Sequence, residues 1–214
     1  MRRLSDATSH AASLLYYNAK TIGYVPFLIA VSCTVVISLI FNLRFITYTE
    51  MAQIGELYLS LLGIMLMPHL TIIEDADSIH ETVYAKRKRH ALTVSFRILQ
   101  TVALLWLLIL SVALLAGNQG GDFPMLELTG GSWISAVCLG AAGMTAATFS
   151  RNIAAAYMTG FLYYVLEMFT KGKYTGDFYL FSLLKGSFEP GKWLLAAGAA
   201  GLLAVNVAYV WRKS

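Results

Sequence analysis

Apolar residues dominate six stretches of the chain, 24–43, 54–73, 92–116, 133–149, 153–170 and 193–211, separated by short polar segments. A bilayer core needs about 20 helical residues, with roughly 17 to 25 tolerated, so the pattern predicts six transmembrane helices. The connections are too short for a separate soluble domain, and residues 1–214 read as one transmembrane domain. Ahead of the first stretch, Leu4, Ala11, Leu15, Ala19 and Ile22 recur at helical spacing. Arg2, Arg3, Asp6, Ser9, Ser13, Tyr17 and Lys20 fall largely elsewhere. This spacing predicts an amphipathic interfacial helix over 1–23; because alanine and serine dilute it, the competing reading is an unstructured tail.

Between the fifth and sixth stretches, Tyr179-Leu180-Phe181-Ser182-Leu183-Leu184 is apolar but far too short to span. It is bounded by Gly176-Asp177 and Glu189-Pro190-Gly191, which predicts a short interfacial or re-entrant helix. Gly117 to Pro124 has the composition of a turn.

Composition agrees with the pattern. Hydrophobic residues make up 57% and charged residues 13%, with mean hydropathy +0.64, whereas a soluble domain is about a quarter charged. The net charge of +4 does not indicate nucleic acid, because the basic residues sit beside span ends, where lipid headgroups account for them. With the N-terminus inside, 11 of the basic residues lie on the cytoplasmic side and 5 (Arg44, Lys171, Lys173, Lys185 and Lys192) outside. This asymmetry predicts a multi-pass protein of the cytoplasmic membrane with both termini cytoplasmic. Cys33 and Cys138 fall within spans and read as small apolar residues. A cleavable signal peptide is not expected, since the first span is too long for a signal core.

The segment after the second span runs through Glu74, Asp75, Asp77 and Glu81 into Lys86-Arg87-Lys88-Arg89. Within it, Ser78 and Glu81 match a Ser-x-x-Glu capping box, so a short helix is predicted to begin there. Acids early and bases late suit the helix dipole, and a solvated loop helix alone would account for these charges.

This layout resembles an ABC-2-type, or type V exporter-type, permease. The resemblance rests on the surface helix, the six spans, and the sequence Glu74-Asp75-x-Asp77-Ser78-x-x-Glu81-x-x-Tyr84 followed by a basic cluster and Arg97. It implies that residues 74–91 form a coupling helix on a partner ATPase, with Glu74, Asp75, Asp77, Ser78 and Glu81 at the docking face. It also implies that Tyr179 to Leu184 is re-entrant, and that a second copy or a homologous permease completes the channel. The chain has no Gly-x-x-x-x-Gly-Lys-Ser/Thr loop. ATP and Mg are therefore expected in separate ABC ATPase subunits, with no cofactor in this chain.

Charged groups inside spans carry a functional hypothesis by default. Glu56 and Glu167 read as lying near the outer ends of spans two and five, either exposed to water there or, as the resemblance implies, flanking the exit of the pathway. His69 follows Pro68 near the inner end of span two. It is either a substrate-contacting or pH-sensitive group, or a satisfied histidine at headgroup level. Asn42 and Asn206 read as hydrogen-bonding between helices. No hydrolase, metalloprotease or paired-aspartate motif is present, so the chain is not expected to be an enzyme. The expected function is export of an amphipathic or apolar cargo, such as a peptide, antibiotic or lipid-like compound. The rival readings are the substrate-binding membrane subunit of an energy-coupling-factor importer, or a non-transporting immunity or assembly factor.

Overall fold

The structure, a computed structural model, describes residues 24–71, 87–186, 188 and 190–213, and every regular element among them is helical. Five helices are long and apolar enough to cross a membrane. The interfacial helix expected over 1–23 and the docking residues Glu74, Asp75, Asp77, Ser78 and Glu81 lie outside the described residues.

The first helix, α1, spans Tyr24–Ile40 and is shorter than the expected 24–43. The Asn42 side chain accepts a hydrogen bond from the Arg44 backbone N–H at 3.2 Å, a local turn that competes with helix continuation. Asn42 therefore serves its own loop rather than bridging two helices.

α2 covers Tyr48–Thr71 and starts ahead of the expected Ile54. Thr47 and Glu50 form a capping box at its start; the Glu50 carboxylate accepts from the Thr47 backbone N–H and hydroxyl, both at 2.9 Å. α2 is a composite: an α-helical turn over Tyr48–Gln53, a π-helical segment over Ile54–Leu59, α-helix over Leu61–Leu66, and a 3₁₀ turn over Pro68–Thr71. The last change falls where Pro68 removes a backbone donor.

α3 runs unbroken over Arg87–Asn118. Arg87, Lys88 and Arg89 thus belong to the same helix as the third apolar stretch, and Arg97 on it is buried. α4, over Met125–Ser150, begins ahead of the expected Trp133. The polar and glycine residues Thr129, Gly130, Gly131 and Ser132 hide its first turns from a hydropathy reading. A two-residue link follows, in which Arg151 adopts φ 52°. Asn152 then caps α5 (Ile153–Thr170) by accepting from the Ala154 and Ala155 amides. α6 covers Gly191–Lys213.

α4 is the axis of the bundle and touches α2, α3, α5 and α6. In α2 and α4, 72% of the most apolar window is buried, against 22% in α5 and 17% in α6. The chain is thus two central helices wrapped by four peripheral ones whose outward faces are apolar. The axis is tight because glycines let backbones meet. A methyl group on Gly63 would collide with the Ala136 carbonyl, and one on Gly140 would lie 2.7 Å from the Gly63 carbonyl.

Candidate functional site

Between α5 and α6 the chain does not cross the end of the bundle on its surface. Lys171, Gly172 and Gly176 take positive φ (50°, 82° and 55°), and single 3₁₀ turns follow over Gly176–Phe178 and Ser182–Lys185. Between and within these turns Tyr179, Leu180, Phe181, Ser182 and Leu183 are buried. Phe181 stands edge-on to Tyr164 of α5, ring centroids 5.3 Å apart, and Tyr163 donates to the Phe178 carbonyl at 3.0 Å. The apolar hexapeptide expected to be interfacial or re-entrant therefore packs into the end of the bundle, as turns rather than as a regular helix.

Beneath it lies a polar site. Lys192, in the first turn of α6, has no exposed surface and forms an ion pair with Glu56, equally buried, in the π-helical part of α2. An ammonium has three donors, and all three are used here. Besides Glu56, Lys192 donates to Ser135 Oγ of α4 at 2.7 Å and to the Leu180 carbonyl at 2.6 Å. The other Glu56 oxygen accepts from the Leu184 amide at 3.2 Å. Ser135 is within hydrogen-bonding reach of the Leu180 carbonyl, 3.0 Å, and of the Gly131 carbonyl, 3.1 Å.

Glu167 of α5 completes the site from the far side. It has no exposed surface and accepts one long hydrogen bond, 3.4 Å, from the Leu180 amide. Its second oxygen has no partner among the described residues. Leu180 is thus held through both of its backbone groups, its N–H by a carboxylate and its C=O by an ammonium. Above the site, burial raises the Tyr179 phenol beyond its ordinary range, with smaller contributions from Glu56 and Glu167, so the hydroxyl stays neutral.

The π-helical stretch explains how Glu56 reaches this position. There the Ser60 amide bonds back to Gly55 at 3.0 Å, a wider loop than the α-helical one. The Leu57 carbonyl is taken instead by the Tyr164 hydroxyl at 2.8 Å. π-Helical turns recur at functional sites because they redirect side chains.

Of the residues expected to line a pathway, the structure brings Glu56 and Glu167 together around Leu180. Their expected exposure to water is overturned: both are sealed, Glu56 by the ion pair and the turns above it. His69 is buried in the 3₁₀ turn at the opposite end of α2, roughly 20 Å away along a helix that rises ~1.5 Å per residue. It belongs to a different part of the bundle. Nearby, Asn206 of α6 meets the expectation of bridging helices. It donates to Thr145 at 2.8 Å and accepts from Thr148 at 2.5 Å, both on α4.

Sequence reasoning missed Lys192 and Ser135. In sequence Lys192 reads as an outer-loop lysine, yet a cation in the first turn of a helix opposes the helix dipole. That misfit, with a carboxylate inside span two in need of a partner, was the available signal. Comparison with protein-family models, with curated proteins and with solved structures gives no match for this chain.

Proposed function

We propose that the chain is the membrane-spanning permease subunit of an ATP-driven exporter of the ABC-2 type. In this reading it moves an amphipathic or apolar cargo with the energy of separate ATPase subunits. The observation that carries the proposal is the acidic sequence Glu74 to Glu81 with its Ser78-x-x-Glu81 pattern, set between two apolar helices and followed by Lys86-Arg87-Lys88-Arg89. A short rigid helix on the cytoplasmic side is what transmitting a nucleotide-driven movement requires.

Three structural features support the reading. The exposed large side chains of α1 (Val25, Phe27, Leu28, Ile29, Val35, Val36, Leu39 and Ile40) are all apolar, which suits lipid contact and a sixth span at the short end of the tolerated length. The segment between α5 and α6 turns into the bundle, as a re-entrant element would. Lys192 and Arg97 are buried and leave the count of basic residues facing headgroups. The remaining 10 to 4 (11 less Arg97, 5 less Lys192) keeps the same excess on the side of the termini and supports a cytoplasmic placement for them. In this orientation the Glu56–Lys192 site lies at the outer end, and a second copy or a homologous permease faces it across the pathway.

The test is to purify the tagged chain from its native membranes in mild detergent and identify what accompanies it. The expected result is a stoichiometric ATPase that is lost when Glu74, Asp75 and Glu81 are all changed to alanine while the chain remains folded. Recovery without any ATPase, where other membrane complexes survive, overturns the exporter reading.

A further inference from the structure

The buried turns between α5 and α6 differ from the rest of the bundle in what holds them. Positive-φ backbone brackets them, at Lys171, Gly172 and Gly176 on one side and at Gly186 (φ 89°) on the other. Glycines at such positions rotate at low cost and serve as hinges. Between the hinges only single 3₁₀ turns form, so the Leu180 amide spends its hydrogen bond on Glu167, and the Leu184 amide divides its own between Glu56 and the Phe181 carbonyl of its turn, at 3.2 and 3.3 Å. Lifting the segment would therefore break bonds to side chains without unwinding a helix.

The apolar contacts hold it less firmly than they would in water. Phe181 and Leu183 are buried, but in a bilayer an apolar side chain leaving protein enters lipid that is equally apolar. The polar bonds have no such substitute at that depth: Lys192 holds the Leu180 carbonyl, and its ion-pair partner Glu56 holds the Leu184 amide. The closed position also leaves the second oxygen of Glu167 and the Ser182 hydroxyl, both buried, without partners among the described residues. Unsatisfied groups of this kind raise the energy of the closed arrangement and keep a second one within reach.

We propose that residues 172–186 are a two-position strap over the polar site, with the Glu56–Lys192 ion pair as the latch that holds it closed. The strap and its latch are a statement about this chain alone; the strap's service as an outer gate rests on the permease reading. When it lifts, Glu56, Ser135, Glu167 and Lys192 become accessible from the end of the bundle that carries the strap.

The test uses the full chain with Cys33→Ala and Cys138→Ala, carrying Leu183→Cys on the buried face of the strap. A parallel version carries Tyr174→Cys, where the side chain is 77% exposed. Both are exposed to a membrane-impermeant maleimide. With the latch intact, Leu183→Cys should react at least about tenfold more slowly than Tyr174→Cys, and adding Lys192→Met should accelerate it about tenfold, as a shift in the closed population requires.

Should a latch variant fail to fold, hydrogen exchange on the unaltered chain decides. The Leu180 and Leu184 amides should exchange by local opening, well ahead of the Leu139 amide in α4. Leu183→Cys labelling unchanged by Lys192→Met, or exchange of Leu180 and Leu184 only together with α4, would overturn the strap. No ATPase is present in either measurement, so failure of the exporter reading leaves the result untouched.

Discussion

Lys192 and Glu56 stand 136 residues apart in the chain and meet as a sealed ion pair, one from the first turn of α6 and the other from the π-helical part of α2. The pair ties the last helix of the bundle to the second, across α4. Removing one member strands a buried charge, which typically costs about 3–5 kcal/mol, whereas replacing both by apolar groups of similar size is often close to neutral. Lys192→Met alone is therefore expected to lower thermal stability in detergent markedly, and Glu56→Leu with Lys192→Met to recover most of the loss. A double variant no more stable than the worse single one would show that the two groups are not energetically coupled.

Tyr164 donates to the Leu57 carbonyl, the backbone acceptor in the π-helical stretch. Tyr164→Phe keeps the ring against Phe181 and deletes only the hydroxyl. The expected loss is about 1–3 kcal/mol, the range for leaving a buried acceptor without its donor. Hydrogen exchange should quicken around Ile54–Leu59 and not in α4. Uniform quickening would instead mean that the hydroxyl has no local role.

Glycine substitutions separate close approach from mere helix composition. Gly63→Ala should destabilise by at least ~1–3 kcal/mol, because the added methyl meets the Ala136 backbone, which cannot move aside as a side chain would. Gly130→Ala, in the same bundle with nothing within 4 Å of the new methyl, should be neutral or stabilising by ~0.5–1 kcal/mol. Thermal unfolding of the two variants in one detergent gives the comparison.

Asn206 links α6 to α4 through Thr145 and Thr148. Interhelical hydrogen bonds in membrane proteins average about 0.6 kcal/mol and reach about 1.7. Asn206→Leu should therefore cost around that amount for each bond lost, and a double-mutant cycle with Thr148→Val should show coupling. An additive cycle would place the stabilisation elsewhere on α6.

The candidate site was half legible in the chain. Glu56 and Glu167 stand out in any reading because carboxylates within apolar stretches are rare, and the structure brings both to Leu180. The partner that gives Glu56 its setting was not legible, since a lysine beside a span end is the commonest of surface residues and its burial depends on helices far apart in sequence. The start of α2 was legible in principle: Thr47 and Glu50 carry the same capping pattern that drew attention to Ser78 and Glu81. The start of α4 was not, because Thr129, Gly130, Gly131 and Ser132 lower the hydropathy of those turns, and only the fold shows Gly131 against Leu183 and Ser132 against Gly55.

By itself the sequence determined that this is a helical membrane protein, roughly where its apolar helices lie, and that charges within them call for explanation. Those properties depend on local composition and on the bilayer's demand that backbone groups be satisfied within each helix. Only the tertiary structure decided that α2 and α4 form the axis, that residues 176–185 turn inward, and that Lys192 is interior. These follow from which faces meet. Close backbone approach at Gly63 and Gly140, and the three acceptors that Lys192 requires, are supplied by residues from separate parts of the chain, so no single segment encodes them.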